Sequence, residues 1–475
     1  DAEMLDKIEE SAKKRAKEAR KKAWAHFTGG YKSEQDDLRR IIKNIEKKVK
    51  LPIYTYEDFI KITKKPLPTR RHHLSFAKGL SLRIHQNKSV SEERRELKEW
   101  IKKFEARSKD AYNIRLYRTG IDSVLNVKEI PVEYDDNPEE VNGSEIISRN
   151  FDKLFEKYPT LVTFGQDTGK LGDVNQGMKG MQEKYGEERV SDAGIREATI
   201  IGQGIGLALR GFRPIAEIQY LDYLIYAHSQ LSDDLATLQY RTKGKQAAPV
   251  IVRTRGHQLQ GMWHAGSPMQ MLLGSIRGMY LCVPRNMTQA AGFYNTLMEG
   301  NDPALVIEPL KGYNVKERMP ANIGAYKVPL GLPEILKAGD DVTIVTYGWN
   351  VHHAIKAACL LASSKGISGE VIDVQTLMPF DINHVILKSV KKTNKIVFVD
   401  EDVPGGATAY MMQKVMEEQK AFNYLDAAPR TLTAMDHKPA YGIDGEYFSK
   451  PNVEKLFRCV YELMRETDVK KYPAL

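Results

Sequence analysis

The sequence predicts an α/β protein: two three-layer domains with parallel or mixed sheets, preceded by a helical segment at the N-terminus. Three observations lead there. The chain has 475 residues, too many for one ordinary hydrophobic core, and its 42% hydrophobic and 28% charged composition suits a globular fold. Beyond Asn142 short apolar runs alternate with helical stretches, the pattern of a parallel sheet covered on both faces. Ahead of that point, basic and acidic residues interleave at helical spacing.

From Ala2 to about His26 the chain is rich in Glu, Lys, Arg and Ala, which predicts a long exposed helix that Gly29-Gly30 ends. Leu38, Ile41, Ile42, Ile45 and Val49 share one helical face and predict a second helix closed by Pro52. Another is expected around Ser91–Ser108, and the acidic, Pro-containing stretch Glu129–Glu140 reads as a linker. Residues 1–141 thus form a helical segment. The next domain, 142–318, has candidate strands at Leu161–Gly165, Ile215–Ile218, Val250–Arg253, Tyr280–Val283 and Ala304–Ile307. The last, 319–475, opens on a linker containing Pro320, Pro329 and Pro333. Its candidate strands are Val342–Tyr347, Gly369–Asp373, Lys395–Asp400 and Thr431–Ala434.

Charge and cysteine usage narrow the function classes. The net charge is +9, yet residues 1–130 alone hold 33 Lys and Arg against 20 Asp and Glu, so the remainder is mildly acidic. Because the N-terminal charges alternate in sign, a solvated helical face is expected rather than a nucleic-acid surface. No run approaches the ~18 apolar residues of a membrane span. Cys282, Cys359 and Cys459 are too few and too scattered for a disulfide framework or a zinc site, which suits reduced thiols in a cytosol-like compartment. The chain opens on Asp1, and its charged first segment lacks the apolar core of a secretory signal.

Candidate chemistry gathers at strand ends. Gly202-Gln-Gly-Ile-Gly206 is surrounded by Ile200, Ile201, Leu207 and Leu209, so its glycines are expected to let a buried helix approach its neighbours rather than to bind a nucleotide. Glu197 stands at the start of that helix, where the helix dipole favours an acid. Ala216-Glu-Ile-Gln-Tyr-Leu-Asp-Tyr223 puts polar groups and two aromatic rings at the end of a strand, the edge where α/β folds hold ligands. A long polar connection after Arg253 holds His257 and His264. Val403-Pro-Gly-Gly-Ala-Thr408 precedes a helix and offers backbone donors to an anion or a partner chain.

These segments resemble, in order, the β subunit of the decarboxylase component of branched-chain 2-oxo-acid and pyruvate dehydrogenases. The markers are Thr163-Phe-Gly-Gln-Asp167, Gly194-Ile-Arg-Glu197, Ala216 to Tyr223, and Trp263-His264 followed by Ser267-Pro268. Glu370-Val-Ile-Asp-Val-Gln-Thr-Leu-Met-Pro379 and Asp400-Glu401 followed by Gly405-Gly406 complete the set. The resemblance runs from about Asn142 to the C-terminus. It implies a transketolase-like pyrimidine-binding domain, then a transketolase C-terminal domain. The basic helix ending Lys22-Ala-Trp24 is similar to the tail of the α subunit, which implies an α–β fusion.

What the resemblance implies chemically is oxidative decarboxylation of a 2-oxo acid with thiamine diphosphate and Mg2+, and acyl transfer to the lipoyl group of an acyltransferase component. Glu197 matches the carboxyl that pairs with the pyrimidine ring nitrogen, and His264 matches the active-site histidine. Ile195, Gln219, Tyr220 and Tyr223 match positions around the pyrimidine. Asp400-Glu401 and Gly405-Gly406 are expected near the dimer and acyltransferase interface, or as helix caps and solvated surface. A homodimer or an α2β2-like assembly is expected, in a bacterial cytoplasm or a mitochondrial matrix, with no nucleic-acid or membrane partner. Acetoin dehydrogenase, transketolase, deoxyxylulose-phosphate synthase and a non-catalytic assembly module stand as alternatives. The sequence departs from the family at Gln166, where the family has an acid, and in the loop before His264, which is shorter and carries His257. The α subunit's diphosphate motif, Gly-Asp-Gly followed by Asn-Asn, does not occur. The chain as given is therefore expected to need a diphosphate-binding domain and to be inactive alone.

Overall fold

The computed structural model describes residues 2–64, 69–112, 115–257, 259, 261, 263–440 and 442–475. They fall into two compact units, Asp1–Ile114 and Arg115–Leu475. The first is helical: α1 (Ala2–Glu46), α2 (Tyr56–Thr63), α3 (Arg70–Arg83) and α4 (Ser91–Tyr112). Its core joins Leu38, Ile41, Ile42 and Ile45 to Phe59, Phe76, Leu80 and Leu97. The first turns of α1 bury nothing and carry exposed i,i+4 pairs such as Lys7–Glu3 at 2.7 Å, the solvated face that alternating charge predicts.

Gly29-Gly30 does not end the first helix. α1 runs through both glycines to Glu46 and absorbs the expected second helix. Each glycine costs a helix about 1 kcal/mol relative to alanine, which strong helix formers on both sides and the buried Ile41, Ile42 and Ile45 offset. The helix after Pro52 is instead set by Thr55, whose Oγ1 accepts from Asp58 N while Asp58 Oδ2 accepts from Thr55 N, each at 3.1 Å.

The second unit holds two layered α/β bodies, as the sequence predicts. A short β1 (Glu140–Asn142) leads into α5 (Gly143–Lys157). Then follow β2 (Leu161–Gly165), β3 (Val190–Asp192), β4 (Arg213–Tyr220), β5 (Ile251–Gly256), β6 (Tyr280–Cys282), β7 (Ala304–Pro309) and β8 (Lys316–Arg318), the last pairing antiparallel with β1. After them come β9 (Glu334–Lys337), β10 (Val342–Thr346), β11 (Gly369–Asp373), β12 (Thr376–Met378), β13 (Ile396–Val399) and β14 (Arg430–Leu432).

The larger sheet has the order β12-β6-β7-β5-β4-β2-β3 and the smaller β14-β13-β10-β11-β9. Each is parallel except for one antiparallel edge strand, β12 and β9. β12 thus comes from the later part of the chain to complete the earlier sheet, and one apolar core runs from Val252 and Ile307 to Tyr347, Leu377 and Phe398. α5 and the wholly buried helix Met287–Leu297 cover one face of the larger sheet. The helix Glu197–Leu209 covers the other, and only Gly204 among its glycines makes a close approach: a Cβ there would lie 3.2 Å from Val250 Cγ1. No helix among the described residues is long and apolar enough to cross a membrane.

Two strands run further than expected, and for one reason. β5 extends through Thr254 and Arg255, and β4 through Gln219 and Tyr220, because charge is buried inside the sheet. Arg253 Nη1 meets Glu217 Oε2 at 2.6 Å and Asp173 Oδ2 at 2.9 Å, and its Nε meets Glu308 Oε1 at 3.0 Å. Arg255 Nη1 meets Glu217 Oε1 at 2.6 Å, and Tyr313 Oη accepts from both guanidinium groups. All are inaccessible to solvent.

Replacing Arg253 by Met keeps the volume but leaves three buried acids facing one cation. We expect a loss of about 3–5 kcal/mol, the usual effect of breaking a buried pair, read from urea unfolding of the full chain. A loss under about 1 kcal/mol would show that the network does not hold the sheet.

Candidate active site

The parallel strands β2, β3, β4 and β5 all end at the same edge of the larger sheet, and every candidate residue leaves from one of those ends. β2 gives way to Gln166 and Asp167, the latter in the left-handed region at φ 58°. At the end of β3, Asp192 accepts from Gly169 N at 2.7 Å and Lys170 N at 3.0 Å, tying the loop after β2 to the strand beside it. Four residues on, Arg196 occupies the N-cap position without a side-chain cap, and Glu197 is the first residue of the helix, half-buried and its only charged residue.

β4 delivers Gln219, whose Nε2 donates to Asp167 Oδ2 at 3.0 Å, and Tyr220, then enters the 3-10 helix Leu221–Ala227 that carries Tyr223. The loop after β5 returns His264 to these rings. Its imidazole lies 4.7 Å from the Tyr220 ring and 5.3 Å from that of Tyr223, centroid to centroid, and the two tyrosines meet edge to face at 5.8 Å. The buried His264 Nδ1 has no hydrogen-bond partner among the described residues. Burial, then the charges of Tyr220 and Glu197, push the Tyr223 phenol up, so its hydroxyl stays protonated near neutrality.

The edge thus gathers Glu197, Tyr220, Tyr223 and His264. Gln219 is turned toward Asp167, and Ile195 is 73% exposed. Next to Tyr223 a cavity of about 500 Å³ opens between the two α/β bodies, with Tyr226, Trp263, Met271, Asp402 and Lys438 in its walls. Sequence reasoning missed two acids that shape it. Asp222 Oδ2 accepts from Gly266 N at 3.0 Å and pins the His264 loop. Asp402 Oδ2 accepts from Gln270 N at 2.8 Å, at the start of the helix Met269–Ser275. Burial pushes its carboxyl up to about 6 against the backbone donors of Gln270, Val403 and Ala407. Asp222 stands within Ala216–Tyr223 and Asp402 beside Asp400-Glu401, but only the three-dimensional path of the chain gives them these roles.

Two expectations change here. Asp400 and Glu401 are not solvated surface: they are 0% and 3% exposed, at the junction of the two bodies. The backbone donors after Val403 do not wait for an outside anion, since Gly406 N donates to Val403 O at 3.1 Å and Ala407 N faces Asp402.

Comparison with known proteins agrees with this architecture. Residues 139–315 match the transketolase pyrimidine binding domain, and 331–455 the transketolase C-terminal domain. The chain is 33% identical over 324 residues to the pyruvate dehydrogenase E1 component subunit beta of Acholeplasma laidlawii, covering 68% of this chain and 97% of that one. It is 32% identical over 312 residues to the 2-oxoisovalerate dehydrogenase subunit beta of Bacillus subtilis, covering 65% and 94%. A split-gene transketolase, described as an inactive β4 tetramer, shares the fold with a TM-score of 0.56 at 18% identity, over 68% of this chain and 98% of that one.

A Cβ at Gly266 would run into the Asp222 carboxylate. Gly266→Ala should therefore destabilise the protein by about 1–3 kcal/mol, as overpacking does, and release the His264 loop to limited proteolysis before the rest of the fold. Unchanged protease sensitivity would remove Asp222 as the anchor of that loop.

Proposed function

This chain belongs to the β-subunit family of the pyruvate and 2-oxoisovalerate dehydrogenase E1 components, and from that premise we propose that it forms the pyrimidine-binding half of a thiamine-diphosphate-dependent 2-oxo-acid dehydrogenase that passes its acyl product to a lipoyl group. The observation that carries the proposal is the meeting of one half-buried carboxylate, Glu197, with the rings of Tyr220, Tyr223 and His264 at the sheet's ligand edge. This donor set suits a flat aminopyrimidine, which needs apolar faces to lie against and a carboxyl for its ring nitrogen.

Bound there, thiamine diphosphate supplies the electron sink for loss of carbon dioxide from the 2-oxo acid. The chain's own residues do the rest. Glu197 shares a proton with the pyrimidine nitrogen, Tyr220 and Tyr223 pack beside the ring, and Ile195 and Gln219 border it. His264, whose Nδ1 has no partner among the described residues, moves a proton during acyl transfer. The diphosphate and its Mg2+ are held by a companion domain bearing the Gly-Asp-Gly and Asn-Asn motif, and without it the chain is inactive. Assembly is as a homodimer or an α2β2-like complex docked to the acyltransferase component.

In the assembled enzyme Glu197→Gln should slow proton–deuterium exchange at the thiazolium carbon of bound cofactor at least about a hundredfold, the low end for removing acid–base assistance, with cofactor affinity nearly kept. Exchange as fast as wild type would disprove the role given to Glu197. His264→Ala should leave that exchange intact and slow acylation of a lipoyl acceptor instead. Equal damage to both steps would show that His264 supports the fold of the site rather than acyl transfer.

A further inference from the structure

His264 stands eight residues beyond Gly256, the last residue of β5, too far for the sheet alone to place it. The loop is gripped instead from the later body. His257, the first residue after β5, is 1% exposed and stands in the left-handed region at φ 65°. Its ring lies 5.1 Å from that of Tyr347, at the end of β10. Its Nε2 is 3.9 Å from Asp400 Oδ1, at the end of β13. Gly348 makes the room: a Cβ there would stand 2.6 Å from His257 Nδ1. Two residues further along, Leu259 O accepts from Lys450 Nζ at 3.3 Å, and that buried ammonium also faces Glu401 Oε1 at 3.6 Å.

The chemistry of this junction is unfinished in a telling way. Among the described residues neither buried ring nitrogen of His257 has a hydrogen-bond partner, while the Tyr347 hydroxyl and the Asp400 carboxyl face each other beside it. A distance of 3.9 Å is too long for a direct hydrogen bond and short enough for a modest closure or a bridging water.

We propose that His257 is a positioning residue, which seats against Asp400 and Tyr347 and so sets the direction in which the chain leaves β5 toward His264. The proposal rests on the reading of His264 as the residue that serves acyl transfer. The groups facing His257 are Asp400 and Glu401 just after β13, Tyr347 just after β10 and Lys450 just after the helix Gly442–Ser449. Burial holds the imidazole below its ordinary pKa; Glu401 opposes this and Lys450 adds to it. Burial and the neighbouring Asp402 and Glu401 push the Asp400 carboxyl well up. Both shifts favour the uncharged form of the group concerned. Protonating His257 would bury a cation near Lys450, so the seat is kept above the unfolded histidine range and weakens as pH falls below about 6.5.

The test uses hydrogen exchange of the His264, Ala265 and Gly266 amides, which the fold engages with Gly261 O and Asp222. His257→Asn suits the left-handed backbone better than histidine does, so a merely conformational role would leave exchange unchanged or slower. We expect the opposite: exchange at least about tenfold faster, as loss of one buried polar contact gives, and without the acid-side rise of wild type. Asp400→Asn should loosen the same amides, and the double variant should add nothing further. Wild-type exchange in His257→Asn, or full additivity of the two changes, would overturn the proposal. These readouts need no turnover, so they stand apart from the lipoyl acylation assay of His264→Ala, by which the functional reading itself fails or holds.

Discussion

Two guanidinium groups and three carboxylates lie beneath the ends of β4, β5 and β7, out of reach of water. Burying such charge costs several kcal/mol per ion unless every group is met, so the positions that supply it are tied to one another. Arg253 and Arg255 point to the same side of β5 because side chains alternate along a strand. Glu217 answers from β4, Glu308 from β7 and Asp173 from the loop after β2. Burial pushes Glu217 up while Arg255 and Arg253 oppose it. At Asp173 the same two arginines outweigh burial and hold the carboxyl down. Gln219 and Tyr220 lie just past Glu217, and His257 just past Arg255, so the network sets the level at which the candidate site begins.

The second constraint is that the two α/β bodies are not separable at this edge. β12 pairs with β6, and Val283 N donates to Gln375 O at 2.9 Å, so part of the later chain belongs to the earlier sheet. Asp402 caps the helix Met269–Ser275 and Lys450 holds Leu259 O. The His264 loop consequently has its near end in one body and its supports in the other. Any hinge between the bodies would move His264 relative to Tyr220 and Tyr223, which coupling through the shared strand resists.

Much of this was legible in the residues. Continuous apolar runs such as Leu161–Gly165 and Gly369–Asp373 are strands with the bounds they were expected to have, because no competing signal interrupts them. The reading failed where polarity inside the fold imitates polarity outside it. Thr254 and Arg255 look like the start of a connection, yet both are buried strand residues, and the charge of Arg255 is answered by groups far away in sequence. Asp400 and Glu401 look like surface for the same reason. Gly29-Gly30 is the converse case: a local stop signal overridden by tertiary burial further along α1. At the site, Glu197, Tyr220, Tyr223 and His264 could be placed at strand ends, but the pairing of Gln219 with Asp167 and the exposure of Ile195 needed coordinates.

Two of the strands that reach the candidate site turn away from it through residues other than glycine in the left-handed region, Asp167 after β2 and His257 after β5. Such a conformation costs an ordinary residue on the order of 1 kcal/mol or more and persists only where the surroundings over-determine it. For Asp167 the surroundings are visible: Gln219 Nε2 holds its carboxylate, and its own carbonyl accepts from Asp173 N at 2.8 Å, so the turn is locked to the same loop that feeds Asp173 into the ion network. For His257 they are the walls made by Tyr347, Gly348 and Asp400. Glycine at either position would relieve the backbone and lose the side chain that orders the neighbouring loop. The strain is therefore the cost of having a polar group at the turn itself, and the two groups so placed stand on either side of β4, whose last residues are Gln219 and Tyr220.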